Sequence, residues 1–141
     1  MTGTRESKSY VLDTSAIFAF WNDERGADQV ERILKAVDSG TKIYFSFMTL
    51  MEGKYQLWRK VGKDMAEEFE RMIRNLPLSR VDMTDSILNY AAEIKATTRL
   101  SVADSWIIAT AIETGSALVH KDPEFEQVKG RLEIVPLPYK K

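Results

Sequence analysis

Four carboxylates, Asp13, Glu52, Asp104 and Asp122, each lie close to an apolar segment of the chain. Asp13 directly follows the apolar run Tyr10-Val11-Leu12, and Asp122 comes shortly after Ala117-Leu118-Val119. Carboxylates gathered at one place repel, which raises their pKa values until a cation enters. Oxygen ligands in a chain with no cysteine and one histidine select a hard ion, Mg²⁺ or Mn²⁺. Such ions lower the pKa of bound water and clamp phosphate oxygens. The chemistry indicated is phosphodiester hydrolysis, which needs no protein nucleophile.

Each acid also fits a plainer role. Asp13 and Asp122 suit helix N-caps, the latter with Pro123 at the first helical position. Thr49 to Glu52 and Ser101 to Asp104 have the capping-box spacing. Asp104 strains that account, because residues 102–112 are apolar on nearly all sides and such a helix is buried. A carboxylate near its start loses hydration, and an unpaired buried charge is costly. The helix N-terminus returns only about 0.3–1 kcal/mol. A bound cation would offset the rest.

The elements that must place these acids are legible from periodicity. Strands are expected at 10–12, 43–45, 78–81, 117–119 and 132–135. Helices are expected at 16–21, 27–39 (stopped by Gly40), 47–59, 63–75, 84–97 (capped by Thr84) and 102–114 (capped by Ser101, stopped by Gly115). A last helical turn opens at Pro123, and Pro136 and Pro138 make the tail extended. Short, continuously apolar strands alternating with helices predict an α/β domain with a mainly parallel sheet covered on both faces. In such a sheet ligands bind outside the carboxyl ends of the strands, and Asp13 and Asp122 fall on that edge. The chain reads as one domain over 1–141, with polar or extended tails at 1–8 and 137–141.

Composition narrows the class. The chain is 141 residues long, 44% hydrophobic and 29% charged, as expected of a soluble globular domain. The absence of cysteine excludes disulfides, zinc–thiolate sites and thiol catalysis. Residues 1–9 are polar and resemble no signal peptide, and the apolar stretch 102–112 is too short to span a bilayer. No membrane role and a cytoplasmic location are therefore expected. The net charge of −1 is uninformative about partners. Lys54, Arg59, Lys60 and Lys63 form a local basic cluster, as do Arg71 and Arg74; solvated helix faces are the plainer reading of each residue, and the first set is the candidate RNA-binding patch. Trp58, beside Arg59 and Lys60, could stack on an unpaired base. Tyr55, Trp58 and Val61 equally form a helical face suited to a core or a dimer seam, and packing is the reading taken for Trp58 as for Trp21 and Trp106.

The stretches VLDTSAIF, TLMEGKYQ and LSVADSWIIATAIETGSALVHKDPEF, with the apolar segment 132–135, resemble a PIN domain, and more narrowly the VapC-type ribonuclease toxins of toxin–antitoxin pairs. The similarity runs from Tyr10 to Val135. The opening Asp-Thr-Ser-Ala and the run Ala103-Asp104-x-x-Ile107-Ile108-Ala109-x-Ala111, followed by Asp122-x-Glu124-Phe125, carry it; the Glu52 match is less specific. The resemblance implies a PIN-like three-layer α/β/α fold with Asp13, Glu52, Asp104 and Asp122 as the acidic pocket. Asp13 and Asp104 would be the main metal ligands, with Glu52 and Asp122 direct or through water. Thr14 or Ser15 would steady a water, phosphate or carboxylate. The implied activity is Mg²⁺- or Mn²⁺-dependent endoribonuclease cleavage of RNA leaving a 5′-phosphate. The implied partner is a cognate antitoxin covering the pocket, on a toxin homodimer.

Two positions depart from the family pattern. His120-Lys121 stands where relatives often carry Thr-Arg, and His120 reads as a packed residue rather than a ligand. Glu124 stands where many carry Asp, and Asp122 is taken as the fourth acid. A haloacid-dehalogenase-type phosphatase also begins with an acid after its first strand, but needs a second Asp where this chain has Ser15. A response-regulator receiver wants paired acids there, and only Asp13 is present. A PIN-fold RNA- or protein-binding module without catalysis is the remaining alternative, and possession of all four acids argues against it.

Overall fold

The computed structural model describes residues 8–140. Five strands form one sheet in the order β3-β2-β1-β4-β5. They are β1 (Ser9–Leu12), β2 (Lys42–Ser46), β3 (Ser79–Val81), β4 (Ala117–His120) and β5 (Ile134–Pro136). Every pairing is parallel, with Tyr10 opposite both Ile43 and Ala117. The helices are α1 (Thr14–Trp21), α2 (Ala27–Lys35), α3 (Phe47–Lys60), α4 (Lys63–Asn75), α5 (Asp85–Thr97) and α6 (Val102–Thr114). The sheet lies between layers of helices, a three-layer α/β/α arrangement, as the alternating pattern predicts.

The strand alternation sorts the core. Leu12, Ile43, Phe45 and Val119 face a cluster built with Ala16, Ile17, Val30, Leu34, Phe69 and Ile73 from α1, α2 and α4. Val11 and Leu118 face the other way, onto Ile94, Ile107, Ile108 and Ala111 of α5 and α6. Both faces are covered at the middle of the sheet, so Val11, Leu12, Leu118 and Val119 are all buried, while the edge strand β3 exposes Ser79 and Arg80. Each buried large aliphatic contributes about 1.5–3 kcal/mol. A close approach ties α3 to α4: a Cβ added at Gly53 would run into the Phe69 ring.

Four details differ from the expected elements. Residues 27–39 are not one α-helix; α2 ends at Lys35 and a 3-10 turn, Ala36–Ser39, leads to Gly40 at φ +97°. Such tightening supplies partners for the last carbonyls of a helix. Residues 123–128 form a 3-10 helix of two turns rather than one helical turn. Strand β5 starts at Ile134, not Leu132, whose side chain instead packs against the α5–α6 core. The segment after Pro136 is extended but anchored, since Leu137 is buried and its amide donates to the His120 carbonyl at 2.7 Å. Gly26, at φ +101°, lies under that side chain, where a Cβ would meet Leu137.

A candidate metal centre at the carboxyl edge of the sheet

Asp13 is the first residue past β1, and the alternation that sends Leu12 toward α1 turns Asp13 toward the face covered by α6. Its amide donates to the Val119 carbonyl at 2.9 Å, which seats it beside the end of β4. The side chain is almost fully buried, 3% exposed. Oδ2 accepts the Ser15 amide at 2.9 Å and the Ser15 hydroxyl, while Oδ1 is buried and has no hydrogen-bond partner among the described residues. The two readings of this residue therefore do not exclude one another. One oxygen caps α1, and the other is unengaged among the described residues.

Burial pushes the Asp13 carboxyl up to about 7; the Ser15 hydrogen bonds pull it down, and Asp104 and Glu52 nearby push it up further. Asp104, half-buried at the start of α6, is raised to about 6, first by burial and then by Glu52, with Asp122 and Glu124 adding. These are signs of carboxylates crowded out of water. The carboxylate oxygens of Asp104, Asp122 and Glu124 lie within 4.8 Å of one another. Glu124, the alternative to Asp122 as the fourth acid, therefore belongs to the same cluster rather than replacing it. Through Asp104 the effects of Asp13, Glu52, Asp122 and Glu124 meet.

The capping explanations fare unevenly. Asp122 is an N-cap, its Oδ1 accepting the Glu124 amide at 3.0 Å. Ser101 caps α6 by accepting the Asp104 amide at 3.1 Å, but no return bond from the Asp104 carboxylate to the Ser101 amide is present among the described residues. The Glu52 capping box is not formed. Ser46 caps α3 instead, and Thr49 lies inside the helix, where its buried hydroxyl accepts from Thr14 at 3.3 Å. Glu52 is thus free of a local structural duty. Asp104 was the acid most at odds with a cap by sequence, yet Asp13 is the deeper of the two.

The neighbours hold this edge in place. Ser15 Oγ, while donating to Asp13, accepts the Lys121 amide at 2.9 Å. Lys121 reaches Glu24 at 3.0 Å and the Arg25 carbonyl at 2.9 Å, and its side chain is only 5% exposed. His120 is packed, as expected: fully buried, edge-on to Phe125 at 5.0 Å between ring centroids. Its Nδ1 accepts the Asp122 amide at 3.2 Å, and burial lowers its pKa. A neutral ring accepting at Nδ1 carries its proton on Nε2, which has no partner among the described residues. A cleft beside the acids is lined by Phe18, Leu57, Lys60, Lys121, Pro123 and Lys140.

The basic cluster is not uniform. Lys54 is bound to Glu70 at 2.6 Å and Lys63 approaches Glu67 at 4.0 Å, so among the described residues Arg59 and Lys60 are the members of that set without an ion pair. Arg59 lies over Tyr55 and Lys63 over Trp58. Trp58 is exposed, so it is not core packing in the monomer, whereas Trp106 stacks edge-on to Phe47 and Trp21 against Phe69. The sequence offers Thr49 only as a helix cap and gives no pointer to Glu24 or Lys140. Thr49 stood three residues before Glu52, but the roles of the other two depend on contacts across the fold.

An unpaired buried oxygen and clustered carboxylates fit a hard divalent cation held by oxygen atoms alone. Comparison with known proteins agrees with the architecture. The sequence matches the PIN domain over residues 10–131. No curated protein matches the chain. Among solved structures, VapBC2 from Rickettsia felis, bound to a DNA fragment from its promoter, superposes with a TM-score of 0.73 at 18% identity, covering 92% of this chain and 99% of that one. The DNA-bound VapBC of Salmonella typhimurium gives 0.72 at 20% identity, covering 92% and 98%. VapC20 of Mycobacterium tuberculosis, described as a sarcin–ricin loop cleaving toxin, gives 0.66 at 18%, covering 84% and 94%. At these identities the structural likeness speaks to the fold, while the match to the family spans most of the sequence: the chain belongs to the PIN domain family.

Proposed function

We propose that this PIN domain is a Mg²⁺- or Mn²⁺-dependent endoribonuclease, the toxin of a toxin–antitoxin pair acting in the cytoplasm. The observation that carries the reading is Asp13 Oδ1, buried and unpartnered beside Asp104 and Glu52, in a carboxyl whose pKa is raised to about 7. A fold gains nothing from such a group unless something occupies it. Asp13 and Asp104 would be the main ligands, with Glu52 and Asp122 completing the set and Glu124 joining them. The ion would supply a water of lowered pKa and neutralise charge on the phosphate. Ser15 holds the Asp13 carboxylate by its second oxygen, and Thr14 ties the start of α1 to Thr49 of α3.

Three further features support the partners implied. Lys121 and Lys140 are paired with Glu24, so among the described residues Lys60 is the cleft lysine left without an ion pair, and its charge suits an RNA phosphate. Its apolar floor of Phe18, Leu57 and Pro123 suits an antitoxin segment lying across the pocket. Exposed Met51, Tyr55 and Trp58 on α3, with Val102 on α6, form apolar surface suited to a homodimer. Asp13→Asn and Asp104→Asn should each abolish Mn²⁺ binding by calorimetry and RNA cleavage, with the circular dichroism spectrum unchanged. Undiminished cleavage by either variant, purified free of contaminating nuclease, would refute the mechanism.

A further inference from the structure

We infer that His120 is a positioning residue, whose Nδ1 holds the Asp122 amide and so sets the angle at which the fourth carboxylate meets the other acids. The inference rests on the metal-site reading above. Strand β4 ends at His120, and its neighbour β5 ends at Pro136, so the backbone beyond has no strand to pair with. Two side chains take over that task in succession. Ser15 Oγ accepts the Lys121 amide at 2.9 Å, and His120 Nδ1 accepts the Asp122 amide at 3.2 Å. The His120 ring cannot swing away, because it is fully buried between Phe125 at 5.0 Å and Tyr139 at 6.0 Å, and its carbonyl is held by the Leu137 amide.

The consequence is a chain of fixed groups from the buried ring to the cluster. The Asp122 amide is fixed by His120, its Oδ1 is fixed by the Glu124 amide, and its carboxylate lies within 4.8 Å of Asp104 and Glu124. Losing a residue that orients a ligand from outside the ligand set typically costs about 10–100-fold in metal affinity. A histidine that merely filled space would leave the Asp122 amide indifferent to the chemistry of the ring.

The test separates volume from the acceptor. His120→Phe keeps a ring of similar size and loses the acceptor; His120→Asn loses volume but keeps an acceptor where Nδ1 stands. Mn²⁺ affinity by calorimetry should fall at least about tenfold in His120→Phe and stay within about threefold of wild type in His120→Asn. The melting temperature should run in the opposite order, since Asn leaves a cavity. In an Asp122→Asn background, His120→Phe should cause no further loss of affinity. Should His120→Phe not fold, His120→Gln, whose oxygen stands in for Nε2 rather than Nδ1, takes its place and should bind as weakly. Equal Mn²⁺ affinity in wild type and His120→Phe (or His120→Gln) overturns the inference while leaving the metal site standing. Absence of Mn²⁺ binding by the wild type overturns both.

Discussion

The Lys121 amide donates to Ser15 Oγ across 2.9 Å, joining residues 106 apart in the sequence. The same hydroxyl donates to Asp13, so one serine connects the end of β4, the start of α1 and the most buried acid of the site. It ties Asp13 to Lys121, the residue that precedes Asp122.

Ser15→Ala removes both bonds at once. The loss should destabilise the protein by about 1–3 kcal/mol, because the Lys121 amide and Asp13 Oδ2 each lose a partner. Since the Ser15 bonds hold the Asp13 pKa down, the pH midpoint for Mn²⁺ binding should move upward in the variant. Calorimetric titrations across the pH range check the shift.

The raised carboxyls predict how stability depends on pH. Asp13 moves from 3.8 to about 7 and Asp104 from 3.8 to about 6. Between these values the folded apo protein keeps protons that the unfolded chain has released, so stability falls as pH rises from about 4 to about 7. Below that window both states are protonated and the penalty is absent; above it the penalty is complete, on the order of a few kcal/mol for Asp13. Mn²⁺ has the opposite preference, so its affinity should rise with pH through the same window and its binding should release protons. Urea unfolding of apo wild type and Asp13→Asn on either side of the window should show the slope reduced in the variant.

Gly53→Ala tests the α3–α4 contact. Alanine favours a helix by about 1 kcal/mol over glycine. Here its Cβ would strike the Phe69 ring, and overpacking of a closed core costs about 1–3 kcal/mol. The substitution should lower the denaturation midpoint, and a rise would show that Phe69 can move aside.

The lysines of α3 should separate by function. Lys60→Glu, at the cleft, should weaken RNA binding and reduce its salt slope by about one. Lys54→Glu should instead act on stability, by about 1 kcal/mol, since Lys54 is paired with Glu70 at 2.6 Å. Filter binding at several salt concentrations, beside melting curves, distinguishes the two.

What the sequence determined by itself was the order of elements and which acids stand at their ends. Periods, caps and stops are local, so Ser101 and Gly115 bound α6, and Thr84 caps α5, where their spacing places them. Parallel strand pairing followed from short apolar strands separated by helices, and with it the edge where Asp13 and Asp122 lie. Only the tertiary structure decided how deeply each acid is buried, because burial is a sum over distant residues. It put Asp13 rather than Asp104 deepest, drew Glu124 in beside Asp122, and moved the cap of α3 from Thr49 to Ser46. It engaged Lys54 with Glu70 and seated Leu137 in the core, although both looked free along the chain. Such contacts join residues that no local pattern relates, and their energies arise from packing and desolvation once the sheet has assembled.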